Sequence, residues 1–290
     1  MTPSTPITFT PITFTPITFT IDLEDHLERY AADGRWMINT QRILDFCAEK
    51  KICATFFTVG KVATHASLLR RIVADGHELA LHSYDHIALT KEDPATYGAK
   101  LSAAKKMFED ITGKAVLGFR APIFSLTPQS AWAIDVLQEL GFVYSSSVIA
   151  GRGVVNGFPG VPNKPFRWKN GLIELPVPVR IVGRDLGALA LPFLGGVYLR
   201  YLPLWLVRML QAGLDQDALL WTYTHPYDVD ADEGYVRLAD GTSLWMNLLL
   251  MHNRKDFLEK IEKLLANNAG APLIERVQDI ALISPPAGRG

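Results

Sequence analysis

Along this chain, apolar positions follow two rhythms in alternation. Short runs of β-branched and aromatic residues bounded by charge give way to longer stretches where apolar residues recur every three or four positions. The first rhythm reads as buried strand and the second as amphipathic helix. Ile17, Phe19 and Ile21 alternate with threonines and predict the opening strand. Residues 40–50 place Ile43, Leu44 and Cys47 on one face and predict a helix capped by Asn39 or Thr40. Residues 53–59, CATFFTV, read as a buried strand, residues 66–75 as a helix closed by Gly76, and residues 79–81 as the next strand. Pro94 opens a long helix that runs to Gly113. A strand at 116–119, a helix from Thr127-Pro128 to Leu140-Gly141 and a short strand at 142–145 follow. After a stretch rich in glycine and proline come a strand at 172–175, a helix at 204–211, a strand at 218–224 and a helix at 255–266. This alternation predicts an α/β fold, a distorted (β/α) barrel of about seven parallel strands.

The chain of 290 residues suits one such barrel. TPITF occurs three times in succession from Thr5, and only the third copy runs into the charged sequence that ends the first strand. The repeat is too short for a solenoid, and each proline interrupts pairing. Residues 1–15 therefore read as a repetitive arm and residues 16–290 as a single domain, with an apolar insertion near 183–214. Apolar residues make up 48% and charged residues 20%, which provides for a core. A net charge of −1 argues against nucleic acid as the main partner. The two cysteines, Cys47 and Cys53, read as reduced, buried thiols. Neither a leader pattern nor a run long enough to span a membrane is apparent, so a cytoplasmic location is the expectation.

In barrels of this type the chemistry lies at the C-terminal ends of the strands. The predicted strands end in Asp22 and Glu24, His82, Arg120 and His225. His82 and His86 follow an apolar run four residues apart; a coil there brings both rings to one point, which suits a divalent metal of the zinc type. Alternation puts Asp22 and Glu24 on one face of the first strand, with Asp25 pointing away unless the strand bulges. Asp25 is the alternative carboxylate ligand to Glu24.

These segments together resemble the polysaccharide deacetylase family, metal-dependent carbohydrate esterases. Asp22-Leu23-Glu24-Asp25 stands at the family's first motif, and His82-Ser83-Tyr84-Asp85-His86 at its metal motif. Arg120-Ala121-Pro122-Ile123-Phe124 is similar to the third motif with the aromatic displaced by one, and Thr224-His225-Pro226-Tyr227-Asp228 to the last. Gly195-Gly196-Val197-Tyr198-Leu199-Arg200 resembles the branch encoded with bacterial exopolysaccharide assembly. The first motif departs from the usual adjacent aspartates, since Leu23 separates Asp22 from Glu24. The last departs at Tyr227-Asp228, where that branch carries tryptophan and then glutamate.

The resemblance implies removal of an N-acetyl group from an amino sugar of a polysaccharide, oligosaccharide or lipid-linked glycan. It implies a divalent metal, zinc first, on Glu24 (or Asp25), His82 and His86. Asp22 would be the base, His225 the acid and Arg120 the residue that orients Asp22, while Pro122, Phe124, Tyr198 and Tyr227 would contact substrate. Two other readings stay open: a hydrolase of a formamide or cyclic amide on the same scaffold, and a catalytically silent member that binds sugar. The apolar residues 189–194 are expected at the mouth of the site. An exposed apolar loop there would meet a membrane surface, a lipid-linked substrate or a second copy in a homo-oligomer.

Overall fold

A computed structural model describes residues 15–153, 156–183, 189–214, 218–236 and 244–278. All but the last residue of the repetitive arm lies outside them. The first strand is one extended segment in two pieces, β1 (Ile17–Thr18) and β2 (Thr20–Leu23). It is followed by α1 (Arg35–Lys50), β3 (Thr55–Thr58), α2 (Ala66–Ala74), β4 (Glu78–Leu81), α3 (Pro94–Thr112), β5 (Gly118–Phe119), α4 (Ala133–Glu139) and β6 (Tyr144–Ser145). A hairpin pairs β7 (Phe166–Arg167) with β8 (Ile173–Glu174), and a second pairs β9 (Arg180–Val182) with β10 (Leu189–Leu191). Next come α5 (Gly196–Tyr201), α6 (Leu204–Ala212), β11 (Leu220–Trp221), α7 (Leu244–Met251), α8 (Phe257–Leu265), β12 (Ala269–Gly270) and α9 (Leu273–Val277).

Parallel pairing runs from β11 through β1 and β2 to β3, β4, β5, β6 and β8, and β7 adds an antiparallel edge. Strand β12 also pairs parallel with β1, so eight described strands run parallel, counting β1 and β2 as one, where about seven were expected. Among the described residues no pairing joins β8 to β11. The register aligns Ile21, Phe56 and Leu79 in one row and Asp22, Phe57 and Ala80 in the next. Strand alternation then sorts them. Ile21, Phe56 and Leu79 pack outward in the core beneath the helices, while Phe57, Ala80, Tyr144 and Trp221 form the inner core. Burying a side chain such as Phe56 contributes about 2 kcal/mol. The row of Asp22 therefore faces inward at the C-terminal rim.

Local chemistry explains where the elements match expectation. In α3, Asp93 Oδ1 caps Thr96 N at 3.0 Å, Pro94 occupies the first turn, and Gly113 ends the helix at φ 66°. Helix α1 begins earlier than its polar residues predict. Its cap is Gly34, which offers no side-chain signal, and Trp36 is buried at its start. Asn39 and Thr40, the expected caps, lie inside it; Asn39 Nδ2 donates to Asp230 Oδ2 at 2.8 Å and Thr40 Oγ1 to Trp36 O at 2.7 Å. The helix expected over 127–141 is divided. Thr127 and Ser130 close a 3₁₀ turn on themselves as reciprocal caps, and α4 starts only at Ala133. Cys47 is buried and burial pushes its thiol up to about 12, whereas Cys53 is exposed because β3 starts two residues later.

The apolar stretch needs a correction. Ala190, Phe193 and Leu194 are buried, and Leu191 packs against the core, so residues 190–194 form part of the wall and not an exposed mouth. Among the described residues, no helix is long and apolar enough to cross a membrane.

Candidate active site

The rim of β2 positions the first carboxylates. Asp22 N donates to Thr224 O at 2.8 Å, which fixes the end of β2 against the strand that continues from β11. Asp22 is buried, and its Oδ1 accepts a short hydrogen bond from Arg120 Nη1. The same nitrogen donates to Thr20 Oγ1 at 2.9 Å, while Nη2 donates to Ser146 Oγ at 3.2 Å. The guanidinium carbon lies 3.8 Å from the Phe57 ring centre and 4.2 Å from that of Trp221. Flat aromatic faces hold it where the charge-assisted bond aims the carboxylate. Burial pulls Arg120 below the ordinary arginine range against the opposing pull of Asp22.

Glu24, one alternation further on, meets the two histidines after β4. Ser83 and His86 both adopt left-handed backbone, with φ of 59° and 61°, and Ser83 Oγ accepts from His86 N at 3.0 Å. That tight coil turns the rings of His82 and His86 to a centre spacing of 5.1 Å. His82 Nδ1 donates to Arg120 O at 2.9 Å, which leaves Nε2 with its lone pair toward the site. One ligand atom each from Glu24, His82 and His86 lies within 4.8 Å of the others. Glu24 Oε2 is buried with no aligned hydrogen-bond donor, although His86 Nε2 approaches it at 2.5 Å. A buried carboxylate oxygen without a donor, facing two imidazole nitrogens, fits a cation. Burial pushes Glu24 upward, but His86, His225 and His82 outweigh it and hold the group at about 2. Burial pulls His82 down to about 4, into the neutral form a metal requires.

Asp25, the alternative carboxylate, is engaged elsewhere. Its oxygens accept the backbone N–H groups of Leu27, Arg29 and Tyr30, each at 3.0 Å, and so tie the turn that leads to α1. The strand does not bulge, and alternation sends this side chain away from the cluster.

His225 closes the site from the other side. Its Nε2 lies 3.9 Å from Asp22 Oδ2 and 3.9 Å from Glu24 Oε1. Its Nδ1 donates to Asp228 Oδ2 at 3.0 Å, and Asp228 Oδ2 also accepts from His225 N at 2.8 Å. Burial lowers the imidazole, but Asp228, with Glu24 and Asp22, outweighs it and pushes His225 up to about 9. Asp228 in turn faces Arg200 Nε at 3.1 Å, both side chains fully buried. Arg200 is anchored by donating to Leu250 O and His252 O.

The predicted substrate contacts are divided by the geometry. Tyr227 stacks on His225 at 4.6 Å between ring centres and 11° between planes, and His26 meets its edge. Tyr198 is half-buried on α5. Pro122 and Phe124 are buried; Phe124 packs edge-on to Tyr223 at 4.9 Å and faces Arg120, supporting the floor. Ile123 carries the exposure at this motif, 53%.

Several residues acquire roles that strand-end reading did not assign. Asp228 and Arg200 belong to motifs recognised in the sequence, yet only the fold pairs them. Gly196 permits the pairing, since a Cβ there would lie 2.1 Å from Asp228 Oδ2, and Gly195 leaves room for the Tyr223 ring. Glu174, a charge inside an apolar strand, accepts from Ser147 N at 2.7 Å and Val148 N at 3.1 Å behind Arg120. Burial pushes it up to about 7 against those donors.

Residues 32–145 match the polysaccharide deacetylase family, and residues 146–273 match a domain of unknown function, DUF3473. The chain is 32% identical over 106 residues to a chitooligosaccharide deacetylase of Bradyrhizobium sp., which covers 36% of this chain and 46% of that protein. It is 26% identical over 141 residues to a peptidoglycan-N-acetylglucosamine deacetylase of Bacillus cereus, covering 44% and 50% respectively. The chain thus spans half the length of these relatives or less. In fold it is similar to a Mycobacterium smegmatis protein assigned to the polysaccharide deacetylases, with 20% identity, a TM-score of 0.61, and coverage of 100% of this chain and 99% of that one. The chain therefore carries a polysaccharide deacetylase domain at residues 32–145.

Proposed function

We propose that the chain is a metal-dependent hydrolase that removes the N-acetyl group from an amino sugar within a glycan. The observation that carries this reading is the convergence of Glu24, His82 and His86 beside two oriented groups of opposite role, Asp22 and His225. One carboxylate and two imidazoles suit zinc and leave positions for water and a carbonyl oxygen. A cation held there supplies Lewis acidity toward the amide carbonyl and lowers the pKa of water.

The remaining steps belong to the chain. Asp22, aimed by Arg120, accepts a proton from the attacking water. His225, held protonated by Asp228, delivers a proton from Nε2 to the departing sugar nitrogen. The 3.9 Å between Nε2 and Asp22 Oδ2 sets acid and base side by side at the rim, both bordering the space where the amide would sit. Tyr227 holds the imidazole plane by stacking, and Ile123 offers an apolar surface to a sugar ring. The Gly195-Gly196 segment, which resembles the exopolysaccharide-assembly branch, buttresses Asp228 and supports a glycan of that kind as substrate.

Metal analysis of the purified protein and acetate release from N-acetylglucosamine oligomers test the reading. Bound divalent metal and acetate release that a chelator abolishes are expected. Metal-loaded protein that hydrolyses small formamides or cyclic amides but no acetylated sugar would overturn it.

A further inference from the structure

Three serines stand in a row at the end of β6, Ser145-Ser146-Ser147, and one glutamate, Glu174, interrupts the apolar run of β8 between Ile173 and Leu175. All four side chains are fully buried. Buried polar groups persist where they are hydrogen-bonded, so their partners show what they hold in place. Ser145 and Glu174 lie side by side in the parallel register of β6 and β8. Ser146 N donates to Phe119 O at 2.8 Å, which ties this segment to β5, the strand that leads into Arg120. The serine hydroxyls add a second set of ties. Ser147 Oγ accepts from Ala121 N and from Ser145 Oγ, each at 2.8 Å, beside the bond from Arg120 Nη2 to Ser146 Oγ.

A single peptide group connects Glu174 to Arg120. The carbonyl oxygen of Ser146 accepts from Arg120 Nε at 3.3 Å, and the N–H of Ser147, on the same peptide, donates to Glu174 Oε1 at 2.7 Å. A trans peptide is planar and points these two groups in opposite directions. Glu174 and Arg120 therefore hold opposite ends of one rigid plate. Val148 N, 3.1 Å from the same Oε1, fixes the tilt of that plate. An acceptor at the N–H end also polarises the carbonyl at the other, which strengthens it as a partner for the guanidinium. The guanidinium in turn aims the Asp22 carboxylate.

We infer that Glu174 is a positioning residue for the proton acceptor, acting on Asp22 through the Ser146–Ser147 peptide and Arg120. Being fully buried, Glu174 meets no substrate itself. What it supplies is an oxygen at one point, Oε1, where two backbone N–H groups converge. Without that oxygen both N–H groups are buried and unpaired, and the peptide is free to turn toward another acceptor. Arg120 then loses the fixed carbonyl at Nε, and its bond to Asp22 loses its direction. The inference rests on the proposed deacetylation for its kinetic readout, while a readout on Arg120 itself needs no substrate.

The test compares Glu174→Gln with Glu174→Met in the full chain. Glutamine keeps a carbonyl oxygen for the two N–H groups and gives up only the 3.4 Å approach of Trp168 Nε1 to Oε2, whereas methionine fills the space with no comparable acceptor. Metal content, melting temperature and acetate release from N-acetylglucosamine oligomers are measured. Solvent exchange of the Arg120 Nε–H is followed by ¹⁵N NMR, the signal being assigned by its loss in Arg120→Lys. The glutamine variant should retain wild-type kcat and exchange. The methionine variant should keep its metal and its KM while kcat falls about a hundredfold, the scale of a misplacement of about 1 Å. Its Nε–H should exchange faster by about tenfold or more, as expected for a local opening. If the methionine variant does not fold, Glu174→Asp, which withdraws the acceptor by one methylene, should show the same two losses to a smaller degree. A methionine or aspartate variant with a lower melting temperature but wild-type kcat and exchange overturns the inference and makes Glu174 a structural residue only. A glutamine variant as impaired as the methionine one overturns it as well. Wild-type protein that releases no acetate, with an exchange rate that still answers to Glu174, would remove the deacetylase reading and leave the link from Glu174 to Arg120 standing.

Discussion

Replacing Asp228 with asparagine isolates what the buried carboxylate does. The side chain keeps its volume and an acceptor for His225 Nδ1, so the ring can hold its place while the charge is lost. His225 then loses its main support, and burial acts against the imidazolium with less opposition. Its pKa falls from about 9 to the ordinary histidine value near 6.5 or below. At pH 7.5 the protonated fraction drops from about 97% to about 10% or less, so acetate release driven by this acid falls about tenfold. The alkaline limb of kcat/KM against pH moves acidward by about two and a half or more, and activity near pH 5.5 recovers. Stability falls too, since Arg200 is left buried without its carboxylate. Breaking such a pair costs about 3 kcal/mol, at the low end because Arg200 Nε approaches Oδ1 without hydrogen-bond alignment. The linkage has a definite sign. A folded-state pKa raised above the unfolded value contributes stability that is complete below about 6.5 and is lost as pH rises through about 9. The wild-type melting temperature should therefore decline over that window and the variant's much less. A variant whose melting temperature drops while its alkaline limb stays where it was would refute the reasoning and reduce Asp228 to a structural residue.

Two further outcomes separate neighbouring roles. Glu24→Gln should strip the metal as His82→Ala does, whereas Asp25→Ala should keep it and lower stability by about 2 kcal/mol through lost acceptors for three backbone N–H groups, as metal analysis and melting curves would report. Gly196→Ala would drive a Cβ into Asp228, and a displacement near 1 Å should cut kcat about a hundredfold with little change in KM; wild-type kcat would show that α5 gives way freely.

What the sequence discloses depends on how local each signal is. Pro94, Asp93 and Gly113 punctuate α3 within the helix itself, so both ends are legible. Helix α1 begins at a glycine cap, and its first turn is stabilised by Trp36 donating to Ala31 O, a contact that no periodicity announces. Helix α7 is apolar almost throughout, so it has no period to read. At the site, period-two alternation favours Glu24 and leaves Asp25 as the alternative, while strand ends mark Asp22, His82, Arg120 and His225 as candidates. The partnership of Arg200 with Asp228 depends on a helix and a loop 28 residues apart meeting in space, and sequence spacing carries no trace of it. The burial of Phe193 is hidden for the opposite reason: an apolar loop residue looks the same whether it lines a wall or faces a ligand.

The gap between β8 and β11 among the described residues has a consequence for how the proposed hydrolase would accommodate substrates. Asp22 and His225 stand on adjacent hydrogen-bonded segments, bridged at Ile21 and Thr224, well away from that seam. Strain introduced by a bulky or branched glycan would be taken up where the ladder is missing, by spreading the wall that carries β8, because the segment after the β9–β10 hairpin is bonded to Tyr223 beside His225. The spacing between proton acceptor and proton donor is set by backbone bonds that such spreading does not stretch. Groove width and reaction geometry are thus set by different parts of one sheet, so a change in the β8 wall would alter the groove while the distance between Asp22 and His225 holds.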